Sequence, residues 1–118
     1  MDKASAEQFA RDWLNGWNAH DLQSILSHYS DDFEMSSPVI TQVTGNPSGV
    51  LKGKDAVGAY WAKALTLFPN LQFTHICTLL GVNSVVIHYY GATGKRVAEV
   101  FTFNPEGLVC KAHAHYES

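Results

Sequence analysis

Val97-Ala98-Glu99-Val100-Phe101-Thr102-Phe103 sets one acid inside a run that is otherwise β-branched, aromatic and small. Such a run reads as a strand. Side chains alternate between the two faces of a strand, so Glu99 shares a side with Phe101 and Phe103. If that side faces the core, Glu99 is costly to bury unless it is neutral, paired or used. Surface strands carry glutamates routinely, so the face that Glu99 occupies is the question on which function turns.

Around this stretch the second half of the chain reads as an antiparallel meander. Its strands run approximately from Leu71 to Leu80, Ser84 to Tyr90, Lys95 to Asn104 and Leu108 to Glu117. Turn residues separate them: Gly81-Val82-Asn83, Gly91-Ala92-Thr93-Gly94, and Asn104-Pro105-Glu106-Gly107. The last has proline at the second turn position and glycine at the fourth, a strong hairpin signal. The first half reads as three helices. Ser5 and Gln8 form a capping-box pattern ahead of Phe9, Trp13 and Trp17, which recur every four residues on one helix face. Asp21 can cap a short second helix with an apolar stripe of Leu22, Ile25, Leu26 and Tyr29. Val57, Tyr60, Trp61, Ala64, Leu65 and Phe68 follow helical spacing in the third, and Pro69 stands where it should stop. Between the second and third helices, Asp32 to Met35 reads as a short strand and Pro38 to Val50 as a loop at a pocket rim or on the surface. Helices first and consecutive strands after them indicate an α+β domain with helices packed on one face of a sheet.

A chain of 118 residues with 46% apolar and 16% charged residues forms one domain, 1–118, around a single core. Its apolar excess favours a hydrophobic cavity or a subunit interface. A formal net charge of −3 and scattered lysines argue against nucleic acid as a partner. No apolar run approaches the ~20 residues of a membrane span. The start, Met1 to Ser5, lacks the apolar region of a signal peptide. Cys77 and Cys110 match no metal or redox spacing, and buried free thiols in a reducing cytoplasm are the expectation.

The order of elements resembles the SnoaL-like, or nuclear transport factor 2-like, superfamily, which includes ketosteroid isomerase and polyketide cyclases. The resemblance rests on Trp17-Asn18-Ala19-His20-Asp21-Leu22, Tyr29-Ser30-Asp31-Asp32-Phe33-Glu34, Leu51-Lys52-Gly53-Lys54-Asp55-Ala56-Val57, and Glu99 to Phe103 with its following hairpin. It covers nearly the whole chain. It implies a cone-shaped barrel, with three N-terminal helices packed in a strongly curved, mostly antiparallel sheet around an apolar pocket. It also implies a homodimer formed through the outer face of the sheet. The fold hosts isomerases, cyclases, hydrolases and non-catalytic binders, so it does not decide function. Ketosteroid isomerase uses an aspartate base just before a proline, a tyrosine donor on the first helix and a protonated aspartic acid on a late strand. Here Ser37 precedes Pro38, Trp13 stands at the tyrosine position, and Glu99 keeps the late-strand acid. Tyr29 matches a supporting tyrosine, and Trp61 replaces a second one.

The resemblance points Glu99 into the cone, where desolvation would raise its pKa and suit it to act as an acid, a base or a neutral donor to a ligand carbonyl. The alternative is a structural glutamate bonded to Tyr29, Trp13 or a histidine. His88 alternates with Val86 and Tyr90 and would pair with Glu99 if their faces agree; otherwise it is a packing or interface residue. His113 and His115 have a spacing that can chelate a metal. The resemblance turns Ala112, Ala114 and Tyr116 toward the pocket instead, which leaves both histidines outside and no metal implied. Trp13, Trp17, Tyr29, Phe33, Met35, Trp61 and Phe101 either wall an aromatic pocket or fill the core outright. Ser37 falls near the pocket mouth as a hydrogen-bonding group. No cofactor is implied, because the chain has no glycine-rich phosphate loop. Three readings follow: a cofactor-free isomerase or cyclase acting by proton transfer on a hydrophobic carbonyl compound, a non-catalytic ligand-binding or dimerisation module, and a protein-interaction module.

Overall fold

The computed structural model describes every residue from Met1 to Ser118. The elements are α1 (Lys3–Asn18), α2 (Leu22–Leu26), β1 (Tyr29–Ser36), α3 (Pro38–Thr44), β2 (Val50–Lys52), α4 (Lys54–Leu67), β3 (Thr74–Leu80), β4 (Ser84–Tyr90), β5 (Arg96–Phe103) and β6 (Val109–Tyr116). One six-stranded sheet has the order β2-β1-β6-β5-β4-β3. All neighbours are antiparallel except β1 and β6, which run parallel and tie the helical half of the chain to its last strand. The sheet curls without closing. Register shifts within the β1–β6, β3–β4 and β5–β6 pairs supply irregularities at which a sheet bends.

The α+β class and the four late strands match the sequence reading to within a few residues. The helices differ more. Residues 38–50, read as a loop, hold α3 and lead into β2, so the chain has four helices rather than three. Ser37 accepts a hydrogen bond from the Val39 amide at 3.1 Å, Pro38 takes the first helical turn, and Gly45 ends α3 in the left-handed region with its amide on the Thr41 carbonyl. These are ordinary start and stop signals. Val39, Ile40, Thr41, Val43 and Thr44 mask them, because β-branched side chains are poor helix formers. Packing overrides that preference: Ile40 is fully buried. At the start of α1, Asp2 rather than Ser5 is the cap, with its carboxylate accepting from the Ser5 amide at 2.8 Å. Asp21 caps α2 as expected. Tyr29 belongs to β1, which begins three residues earlier than the short strand read there.

Phe9, Trp13 and Trp17 of α1 are all buried and pack on the concave face of the sheet. Phe9 meets Phe101 and Phe103 edge-on, Trp13 stacks on Phe73 and meets Tyr89 and Phe101, and Trp17 meets Trp61 of α4. The four-residue spacing thus becomes a row of aromatic rings between α1 and the sheet. β3 is an edge strand with both faces largely exposed, and its turn carries Val82 at 91% exposure.

Candidate functional site

Glu99 faces inward. In β5 the buried residues are Val97, Glu99 and Phe101, while Ala98 and Val100 on the other face are half-buried. Its cross-strand partners are Ile87 on β4 and Ala114 on β6. Only 4% of the residue is exposed. Oε1 accepts a hydrogen bond from the Tyr89 hydroxyl at 2.8 Å. Burial without a cation pushes the Glu99 pKa up to about 7, and the Tyr89 hydrogen bond, which favours the carboxylate, opposes that shift only in part. The same burial raises Tyr89 and Tyr29 well above the usual tyrosine range, with the Glu99 charge adding to it. Both phenols therefore stay protonated wherever Glu99 titrates.

Glu99 borders a cavity of about 360 Å³ between the concave sheet face and α1, α3 and α4. Fourteen of its 21 lining residues are hydrophobic. Trp13, Trp17 and Trp61 form the aromatic wall, with Met35, Leu71 and Phe73 completing it. Pro38, Val39 and Gln42 make the rim on one side, so the segment between β1 and β2 borders the pocket as a helix. The β4–β5 turn also borders the cavity, with Ala92, Thr93 and Lys95. Tyr60 and Tyr116 bring two further hydroxyls. Desolvation raises the pKa of both, that of Tyr116 to about 12 although 40% of that residue is exposed, and the neighbouring Ser37 hydroxyl acts against the shift.

Of the candidates named from sequence, Trp13, Trp17, Met35, Trp61, Glu99 and Tyr116 lie on the cavity. Tyr29, Phe33, Phe101 and Ala112 are fully buried in the core behind it. Ser37 is buried and is occupied in capping α3. The Trp13 indole donates to the Tyr29 hydroxyl at 2.9 Å, and the hydrogen bond to Glu99 comes from Tyr89 rather than from Trp13, Tyr29 or a histidine. His88 does not join Glu99. It pairs with Ala98, one residue out of phase with the Ile87–Glu99 pair, and so lies on the convex face with Nδ1 3.9 Å from the Cys77 sulfur. His113 and His115 also lie on the convex face, bonded to the Ser36 hydroxyl at 2.6 Å and the Ala98 carbonyl at 3.2 Å. Cys77 and Cys110 are free thiols, half-buried rather than buried. Tyr89 and Tyr60 escaped the sequence reading. Tyr89 has the parity of Ile87, and only the β4–β5 register shows that this parity faces Glu99.

No helix is long and apolar enough to cross a membrane. No curated protein matches the sequence. Among solved structures, a SnoaL-like protein of unknown function from Burkholderia thailandensis is 57% identical over 99% of this chain and 98% of that one, with a TM-score of 0.96. An NTF2-like protein from Anabaena variabilis is 18% identical over 98% of this chain and 88% of that one, at 0.76. SalBIII, an epoxide hydrolase/cyclase-like enzyme of pyran ring formation in the polyether salinomycin, is 17% identical over 98% and 93%, at 0.75. The last two show likeness of fold alone. The model of the SnoaL-like domain matches residues 10–112, and with that match and the Burkholderia relative the chain belongs to the SnoaL-like family.

Proposed function

We propose that the cavity binds a small hydrophobic carbonyl compound and that Glu99 exchanges a proton with it, making the protein a cofactor-free isomerase or cyclase. The observation that carries this reading is a buried carboxyl on an apolar cavity whose pKa is raised to about 7. Near neutral pH such a group is present in both forms, which is the condition for a general base that later acts as an acid. The carboxylate takes a proton from the carbon next to the carbonyl, the electron pair moves onto the oxygen as an enolate, and the resulting acid returns the proton to carbon. Tyr60 and Tyr116, still protonated at that pH, supply donors for the enolate oxygen. Apolar walls keep the carboxylate poorly solvated and hence more basic.

The test is exchange of the α-hydrogens of a cyclic ketone such as 2-tetralone in heavy water at pH 7, followed by NMR. Acceleration over buffer that disappears in Glu99→Gln supports the reading. Ligand binding without exchange leaves the non-catalytic module, a reading favoured by Ser37, a residue that is no base, standing before Pro38. A second copy of the chain is the proposed partner, through the convex face. There Val86, Ala98 and Val100 form a half-buried apolar row edged by His88 and His113.

A further inference from the structure

Lys95 is the one positively charged residue among the 21 that line the cavity. The chain's three ion pairs engage Lys3, Lys54 and Arg96, and none engages Lys95. Besides Glu99, the cavity wall holds one other acid, Glu117, and Arg96 takes it. The Glu117 carboxylate accepts from the Arg96 backbone amide and from Nε at 3.2 Å, and these bonds hold its pKa down more than the charge of Lys95 does. Lys95 therefore brings a positive charge to the cavity that no side chain of the protein pairs at close range.

The same strand carries Lys95 and Glu99 onto the cavity. Lys95, Val97 and Glu99 alternate along the chain and all three line it. Lys95 is exposed, whereas Val97 and Glu99 are 2% and 4% exposed. The row thus runs from an opening at the β4–β5 turn to the buried carboxyl. At about 3.3 Å per residue, the backbones of Lys95 and Glu99 stand roughly 13 Å apart. The turn fixes the outer end, since the Gly91 amide donates to the Lys95 carbonyl at 2.8 Å and the Gly94 amide to the Gly91 carbonyl at 3.0 Å. A lysine so placed lays its stem on apolar wall and keeps its charge in water. We propose that Lys95 is a specificity-determining residue of the cavity, and that the ligand carries a carboxylate at the end remote from its carbonyl. Two forces set one orientation: Lys95 attracts the carboxylate, and Glu99 repels it whenever ionised. At the mouth the carboxylate also keeps its water, whereas beside Glu99 it would be desolvated without a cation. This rests on the reading of the cavity as a carbonyl-compound site and narrows it to keto acids.

The test compares 6-carboxy-2-tetralone with its methyl ester, which has the same rings and ketone without the charge. Dissociation constants are measured at pH 7 on the whole chain, on Lys95→Gln and on Lys95→Glu, at low and at high salt. The parent chain should bind the acid about threefold to fivefold more tightly at low salt, the upper range for an exposed ion pair. High salt should erase most of that preference. In Lys95→Gln the two ligands should bind alike, and in Lys95→Glu the ester should bind better. The chain's net charge of −3 works against any anion, so a preference for the acid reports a local cation. Equal affinities on the parent chain, or a preference that survives in Lys95→Gln, overturn the inference. An ester that binds and exchanges its α-hydrogens while the acid gains nothing sinks the inference alone. If neither ligand binds, both readings fall.

Discussion

The Tyr89 hydroxyl and Glu99 Oε1 lie 2.8 Å apart on the concave faces of adjacent strands, and this is the one hydrogen bond the protein gives that carboxyl. The bond favours the ionised form, so it holds the Glu99 pKa below where burial alone would set it. Tyr89→Phe should therefore raise the pKa of Glu99 further. Carboxyl NMR would check this, and a midpoint that stays put or falls would contradict the assigned cause. Loss of the bond should also reduce stability by about 1 kcal/mol.

Glu99 makes stability depend on pH in a direction opposite to a salt-bridged acid. In the folded chain it holds its proton up to about pH 7, against 4.5 for an ordinary glutamate. Folding therefore binds a proton between those values. The contribution is complete below about pH 4.5, declines as pH rises, and is gone above about 7. Glu99→Gln removes the penalty. It should match the parent chain near pH 4 and exceed its stability at pH 8 by on the order of 3 kcal/mol in urea unfolding. A constant difference between the two chains across that range would count against a buried, raised carboxyl.

Tyr29→Phe isolates the second buried pair. It removes the acceptor of the Trp13 indole in a fully buried position, at a cost of about 1–3 kcal/mol in chemical denaturation. Glu99 makes no bond to Tyr29, so its titration should move far less than in Tyr89→Phe. Comparable shifts in the two variants would mean that the phenols act on Glu99 through charge and burial rather than contact.

The proposed dimer is tested by sedimentation at micromolar concentration. The parent chain should run as a dimer, and Val100→Glu, which sets a charge in the middle of the convex apolar row, should shift it to monomer. A monomeric parent chain removes the partner assignment while leaving the cavity untouched.

The sequence carried β4 and β5 well because each has a two-residue period and a turn signal at both ends, as with Ser84–Tyr90 between Asn83 and Gly91. It carried Glu99's orientation only through family likeness, since parity alone leaves either face open. Pairing His88 with Glu99 failed on a register offset of one residue, which reverses a side chain's face and has no local signature. The helix at Pro38–Thr44 was hidden because its residues favour strand locally and are held helical by burial of Ile40. Tyr89 and Tyr60 were obscured because a strand or helix tyrosine looks alike whether its hydroxyl meets solvent or a carboxylate.

The parallel contact between β1 and β6 bears on how the chain reaches this shape. Tyr29–Ser36 has only the three-residue β2 on its other side, and its inner edge is covered by Val109–Tyr116, some eighty residues downstream in the numbering. During synthesis that edge stays bare until the final strand leaves the ribosome. Closure of so large a loop slows the last step of folding and leaves an unpaired strand open to intermolecular pairing in the meantime.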